Sequence, residues 1–526
     1  MAGSSQDCAW YLPLLQRNRI SEQHGHYNEP YGQALSFWLI NPQYDLHRDE
    51  YLHLDQANHL AWGYLSVPPV TSWISYLILS LGNSVWWIKF FPALFGALTM
   101  VVVWKTVEEL HGNLFALALS AVAVTFSVIL RINILYQPNS LDILCWTLLY
   151  FTFIKYIHTE KNSWLWIGAV TFALGFLNKY NIAFLLLGFI PALWLTEHRR
   201  IFRNKHFYFS MALALLLVSP NLAWQLQQGL PVFQHLHELA STQLVNVSRV
   251  DFLKEQLIYF LGSAFLILAA CLSFFCYKPF RKYRVFFWSF LFTLLLFLYF
   301  KAKAYYAIGL YPVLIAFGSV YVGRILRRRW KAYLAPILLL MPLLAFLPIF
   351  KVVFPVLSPT QIQQQAQQFR DLNLLRWEDG KDHLLPQDFA DMLGWRELAG
   401  KVDVAYSQIR DKKHTLVLCD NYGQAGAINY YSGHKALKAV SLSADYINWF
   451  PIDEVEIKNV ILVKDADGQD EDNAKEKLLF QTVTLVGKIE NPYAREQGTS
   501  IYLLQGAKTS INNLLRAEIE KKRSVF

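Results

Sequence analysis

The chain has 526 residues, a net charge of +9, 54% hydrophobic and 16% aromatic residues, and a mean hydropathy of +0.24. The apolar excess lies in the first two thirds, which excludes an ordinary soluble protein and points to a polytopic membrane bundle followed by a soluble tail. The positive charge does not indicate nucleic acid, because the lysines and arginines fall in short loops between apolar runs, as in loops that face the cytoplasm.

The cysteines (Cys8, Cys145, Cys271, Cys276 and Cys419) form neither a disulfide framework nor a CxxC metal site at these spacings. No cleavable signal peptide is expected, since no basic start, apolar core and small-residue site occur together.

Taken in order, residues 1–46 carry only the short apolar runs YLPLLQ and ALSFWLI. A first helix ending near Ile40 is required if the chain starts in the cytoplasm. The stretch His47–Pro69, HRDEYLHLDQANHLAWGYLSVPP, then packs Asp49, Glu50 and Asp55 with His47, His53 and His59 into one polar window. Acids and imidazoles beside a membrane are costly unless they sit in water or a functional cavity. Residues 70–82 are too short to span and read as interfacial.

Spanning helices are predicted near 86–106, 113–130, 140–157, 163–178, 181–196, 207–226, 252–275, 284–300, 305–323 and 332–353. Cations cluster at Lys105, at Lys155 and Lys161, at Arg199–Lys205, at Lys278–Arg284 and at Arg324–Lys331, all in alternate loops. That side is assigned to the cytoplasm. The opposite loops, 47–69, 131–139, around Lys179, 227–251 and around Lys301, share the outer face with the tail from about residue 357. In the tail, QIQQQAQQF and WRELAGKVDVAYSQI have helical period. HTLVLCD, NVILVK, QTVTLV and SIYLLQG read as strands, and GQAGAINYY as a strand-to-helix turn. LVKDADGQDEDNAKEK reads as an acidic loop. There are no internal repeats.

Asp49 and Glu50 are the first candidates for chemistry. A solvated acidic loop or a helix cap would account for them equally simply, but their place between membrane segments favours a carboxylate that takes a proton from a hydroxyl. Asp142, in QPNSLDILCW, is either an N-terminal acid favoured by the helix dipole or a second carboxylate facing the same cavity. Lys179, Lys301 and Lys303 could be snorkelling interfacial lysines. Outer-face cations nevertheless run against the charge bias, and with Arg131 they would hold a phosphate or pyrophosphate by charge-assisted hydrogen bonds. Glu50 with His47 and His53, and His235 with His237, are candidate metal ligands. Carboxylates opposite cations suit group transfer from a lipid-anchored phosphate, and no G-x-x-x-x-G-K-[ST] motif argues for ATP.

The segments HRDEYLHLDQANHLAWGYLSVPPV, QPNSLDILCWTLLYF, GFLNKYNIAFLLLG, SPNLAWQLQQGLPVFQHL, FKAKAYYAIGLYPVLIAFGS, GWRELAG and DNYGQAGAINYY follow one another over roughly residues 44–431. In content and order they resemble the bacterial members of the dolichyl-phosphate-mannose protein mannosyltransferase superfamily. These are glycosyltransferase family 39-like enzymes of the GT-C fold, and include the lipid A aminoarabinose transferases. The resemblance implies an α-helical polytopic GT-C membrane domain over 1–356, with about 11 transmembrane helices and a catalytic first outer loop at about 41–85. An extracytoplasmic α/β domain would follow over 357–526.

It also implies a polyprenyl-phosphate-linked sugar as donor, transfer with inversion, and a protein, lipid A or other envelope glycan as acceptor, at a bacterial inner membrane. Asp49 would be the catalytic acid with Glu50 beside it, and Asp142 the acid that opens the helix after the second outer loop. Lys301 and Lys303, with Lys179, Arg131 and Tyr305, would hold the donor phosphate. No cofactor is required, although some relatives use a divalent metal, for which Glu50, His53 and His235 are the candidates. The strongly apolar first helix usual in the family is not evident before Asp49. The competing readings are a transporter or flippase for a lipid-linked sugar, which would want helix breaks at mid-membrane in matching halves, and an inactive scaffolding member.

Overall fold

The computed structural model describes residues 40–525 apart from 243–246, 328–332 and 467–472. The helix expected before Asp49, the basic residues Arg328, Arg329 and Lys331, and the centre of the acidic loop after Lys464 lie outside the described residues.

Among the described residues, six helices are long and apolar enough to cross a membrane: Val85–Glu109, Asn139–Thr159, Lys205–Gln227, Lys278–Tyr299, Ala304–Ile325 and Ala335–Val353. Two further apolar stretches are bent, by 106° between Ile182–Trp194 and Glu197–Arg203 and by 69° between Arg249–Tyr259 and Leu261–Cys276. Counting each bent pair as one span gives up to eight.

The stretches 113–130 and 163–178, expected as full spans, are apolar helices of 12 and 16 residues. The first stops at Thr125 because the chain breaks out of helical geometry and restarts at Ser127, whose hydroxyl accepts from the Ile129 amide at 3.3 Å. A polar N-cap inside an apolar run ends one helix and starts another. Hydropathy alone does not register this. Close helix approach depends on small residues: a Cβ on Gly318 would run into the Leu266 carbonyl.

The bundle has two chemically distinct ends. At one, Lys155 pairs with Glu109 at 2.7 Å. At the other, Lys89 pairs with Glu50 at 2.6 Å. Lys89 and Glu109 sit near opposite ends of the Val85–Glu109 helix, so these two pairs mark opposite ends of that helix.

The tail carries a five-stranded sheet in the order β2-β1-β3-β5-β4. The strands are β1 Thr415–Cys419, β2 Ala439–Ser441, β3 Asn459–Lys464, β4 Phe480–Lys488 and β5 Ser500–Ala507. β1 runs parallel to β2 and β3, with Val417 opposite Ala439 and Ile461. β5 is antiparallel to β3 and β4. The β2 strand, three residues long, is too short for period-2 alternation to show in sequence. QIQQQAQQF is split at Gln365 into Pro359–Gln364 and Ala366–Asp371.

This sheet does not stand apart from the first loop. Tyr51, Leu52 and Leu54 share one buried cluster with Trp395, Tyr446, Phe369 and Ile461. Tyr51 is 1% exposed and packs edge-on against Trp395 and Tyr431 at 5.9 and 5.7 Å between ring centroids. Aromatic burial of this kind contributes on the order of 2–3 kcal/mol per side chain.

Candidate active site

The Arg48–Asp55 helix begins with a capping box. The Asp49 amide donates to His47 Nδ1 at 3.2 Å, and the His47 amide donates to Glu50 Oε2 at 2.7 Å. The cap fixes where the first turn starts, and therefore which way each acid points.

Asp49 is partly accessible, with 36% of its side chain exposed. Tyr422 donates its hydroxyl to Oδ1 at 2.7 Å, and Gln137 donates Nε2 to Oδ2 at 3.1 Å. Burial pushes the carboxyl pKa up, but His47, Arg48 and the Tyr422 hydroxyl outweigh it and hold the group below its ordinary value. Each oxygen has one side-chain hydrogen-bond donor, which leaves lone pairs to spare.

Glu50 points the other way and is fully buried. Its Oε1 accepts from Lys89 at 2.6 Å and from the Tyr136 amide at 2.7 Å. Its Oε2 accepts from Lys89 at 2.9 Å and from the His47 amide. Both oxygens are occupied by protein donors, so Glu50 anchors the first loop to the Val85–Glu109 helix. His53 is buried against Gln56 at 3.4 Å, and burial lowers its pKa. Among the described residues no three His, Cys, Asp or Glu side chains gather as a metal would need. The His235 side chain lies outside the described residues.

A chain of amides leads away from Asp49. The Gln137 carbonyl accepts from Asn139 at 2.9 Å, and Asn139 Oδ1 accepts from Lys179 Nζ at 2.6 Å. Lys179 lies over the Tyr305 and Tyr306 rings at 5.1 and 4.5 Å. Asp142 stands behind this row. It accepts from Trp146 Nε1 at 2.9 Å and from Asn181 Nδ2 at 3.1 Å, within electrostatic reach of Lys179. At 5% exposure it is buried, and its hydrogen-bond partners are Trp146 and Asn181.

Beside the row is a cavity of about 490 Å³. Its wall includes Lys303, Tyr305, Asp251, Glu255, Trp377 and Glu378. Lys303 pairs with Glu378 at 2.7 Å. Tyr305 is common to the row and the cavity, and lies within electrostatic reach of Asp49. Two of the expected phosphate cations are elsewhere. Lys301 is exposed, has a left-handed backbone (φ 52°) and does not line the cavity. Arg131 is buried under Phe389, with Nη2 3.4 Å from Asp388 and Nη1 unpartnered.

The structure therefore gathers Asp49, Lys179, Lys303 and Tyr305, and sets Asp142 behind them. Sequence reasoning missed Gln137, Asn139, Asn181, Lys89 and Tyr422. All but Lys89 lie in quoted segments, yet uncharged amides and a tyrosine carry no signal for a site by themselves.

Comparison with known proteins gives a consistent picture. Residues 66–224 match the family model described as dolichyl-phosphate-mannose-protein mannosyltransferase. Over 198 residues the chain is 24% identical to the lipid A galacturonosyltransferase RgtD of Rhizobium johnstonii, covering 36% of this chain and 41% of that one. The chain thus spans about two fifths of the length of the curated relative it matches. Its fold is similar to that of ArnT from Cupriavidus metallidurans bound to undecaprenyl phosphate, with a TM-score of 0.60 and 13% identity over 90% of this chain and 96% of that chain. The apo state of the same protein matches with the same values. The fold is that of the GT-C glycosyltransferases.

Proposed function

From a GT-C membrane fold with a partly exposed carboxylate linked by hydrogen bonds to Lys179, near a polar cavity whose wall includes Lys303 and Tyr305, we propose that this chain is a membrane glycosyltransferase. It moves a sugar from a polyprenyl-phosphate donor to an acceptor hydroxyl. RgtD is named for lipid A and one of the ArnT structures holds undecaprenyl phosphate, and both support a lipid-phosphate donor with lipid A, another envelope glycan or a protein as acceptor. The sugar is a hexose or a pentose. The active face and the tail lie on the extracytoplasmic side of a bacterial inner membrane, a reading supported by the cationic loops at the opposite end of the bundle.

The observation that carries this reading is the connection from Asp49 through Gln137 and Asn139 to Lys179, beside Tyr305 and the Lys303 cavity. A cavity of about 490 Å³ lies within the range of roughly 300–1,000 Å³ usual for small-molecule sites. The acceptor hydroxyl oxygen forms a bond to the anomeric carbon while the bond from that carbon to the phosphate oxygen breaks. Asp49 takes the hydroxyl proton, and the electron pair leaves on the polyprenyl phosphate. Lys179 and Lys303 stabilise that charge as it develops. A single displacement of this kind inverts the anomeric centre. Atoms and charge balance with no cofactor.

The test is Asp49→Asn in proteoliposomes supplied with an undecaprenyl-phosphate sugar and candidate acceptors, read by mass spectrometry of the glycosylated product. General-base loss is expected to lower kcat by about 10²–10⁴-fold with expression intact. Near-normal transfer by this variant, or sugar crossing the bilayer with no covalent product, would overturn the proposal.

A further inference from the structure

We infer that Tyr422, some 370 residues downstream of Asp49, is a positioning residue for the Asp49 carboxylate, so that the soluble tail completes the active site. The inference rests on the reading of Asp49 as the base. Tyr422 is the first residue of the Tyr422–Tyr431 helix, and its hydroxyl is 2.7 Å from Asp49 Oδ1.

Three features hold it there. The helix start is set by a capping box between Asn421 and Gln424. Gln424 in turn donates to Glu496 at 2.5 Å and to Asp465, so the cap is tied to the ends of the sheet. Arg48 is only 8% exposed, and its guanidinium lies over the Tyr422 ring at 4.4 Å. Finally, the helix lies flush on the Arg48–Asp55 helix, since a Cβ on Gly426 would come within 2.7 Å of Tyr51 Cβ. A phenol fixed on this many sides costs no reorganisation when the carboxylate takes up a proton.

The groups facing Asp49 are His47, Arg48, His53, Tyr305, Asp391 and Tyr422. Arg48 is the fixed cation among them. Burial, with Asp49 beside it, raises the Tyr422 pKa, so the phenol keeps its proton and stays a donor. Tyr422→Phe keeps the ring under Arg48 and removes only that donor. Losing a hydrogen bond to the charged form raises a carboxyl pKa, so the acid limb of the kcat/KM profile should move to higher pH.

The experiment compares wild type, Tyr422→Phe, Tyr51→Phe and Asp49→Asn in the same proteoliposomes. Tyr51→Phe is the control for a loosened interface, because it removes a 3.2 Å hydroxyl contact to Tyr431 between the same two helices. The expected result for Tyr422→Phe is kcat lowered about tenfold, an acid limb about one pH unit higher and an unchanged donor KM. Tyr51→Phe should leave the limb in place. An inactive Asp49→Asn with an unmoved limb in Tyr422→Phe, or equal limb shifts in the two tyrosine variants, overturns this inference alone. An active Asp49→Asn overturns it together with the function proposed above.

Discussion

Successive side chains on an α-helix point about 100° apart, and this separates Asp49 from Glu50. Sequence places two acids side by side and cannot tell which one the bundle takes. The structure turns Asp49 towards Gln137 and Tyr422 and drives Glu50 against Lys89. The pairing could not be read beforehand, because Lys89 stands inside an apolar run, where one cation does not interrupt the pattern. Lys89 is 3% exposed and Glu50 fully buried. Removing one partner of such a pair leaves an uncompensated charge, at a cost of about 3–5 kcal/mol, whereas removing both is often near neutral. Lys89→Met should therefore lower the melting temperature in detergent substantially, and Glu50→Gln/Lys89→Met should recover most of the loss. A double variant no better than the single would show that Glu50 is held by its backbone donors alone.

At the scale of elements, long apolar runs announced the spans, and short runs rich in β-branched and aliphatic residues announced four of the five strands. Helix breaks and the three-residue β2 were not announced, because a cap or a short edge pairing involves too few residues to leave a periodic trace. The ends of parallel strands β1 and β3 carry a feature of their own. Asp420 and Asp465 follow the two strands, and Glu496 precedes β5. Burial, then repulsion from Glu496 and Asp420, pushes the Asp465 pKa up to about 7. The folded value lies above the unfolded one of about 3.9, so the stabilising contribution is present below pH 4 and is lost as pH rises through 7. Asp465→Asn removes that loss and keeps an acceptor for Asn421 and Gln424. The variant should match wild type at pH 4 and gain about 1–2 kcal/mol at pH 8, read as a melting-temperature difference that grows with pH. A difference independent of pH would mean that the Asp465 pKa is not raised in the folded chain.

For the whole molecule, alternating loop charge was enough to place the tail and the first loop on one face, but not to show that they share a core. That union depends on contacts between residues more than 300 positions apart, such as Gln56 with Asp445 at 2.8 Å, Asp55 with Tyr446 at 2.8 Å and Asp45 with Arg396 at 2.7 Å. Local pattern cannot encode such pairs. The Arg48–Asp55 helix has eight residues, fewer than the roughly 12–15 an isolated helix needs to be even marginally stable in water, so tertiary packing must supply its order. Tyr51, Leu52 and Leu54 find that packing against Trp395, Tyr446 and their neighbours.

It follows that a chain ending at residue 356 should still insert its membrane helices, whose own core of Trp146, Phe286 and Phe317 is separate. It should, however, lose the ordered first loop. The expected outcome is membrane-integrated protein with transfer reduced at least a hundredfold, and with proteolytic cleavage appearing between residues 47 and 69. Cleavage there, absent from the full chain, would show that the tail acts by ordering the catalytic helix. An uncut loop with lost activity would instead assign the tail to the acceptor, since the carboxylate would then be in place with nothing delivered to it.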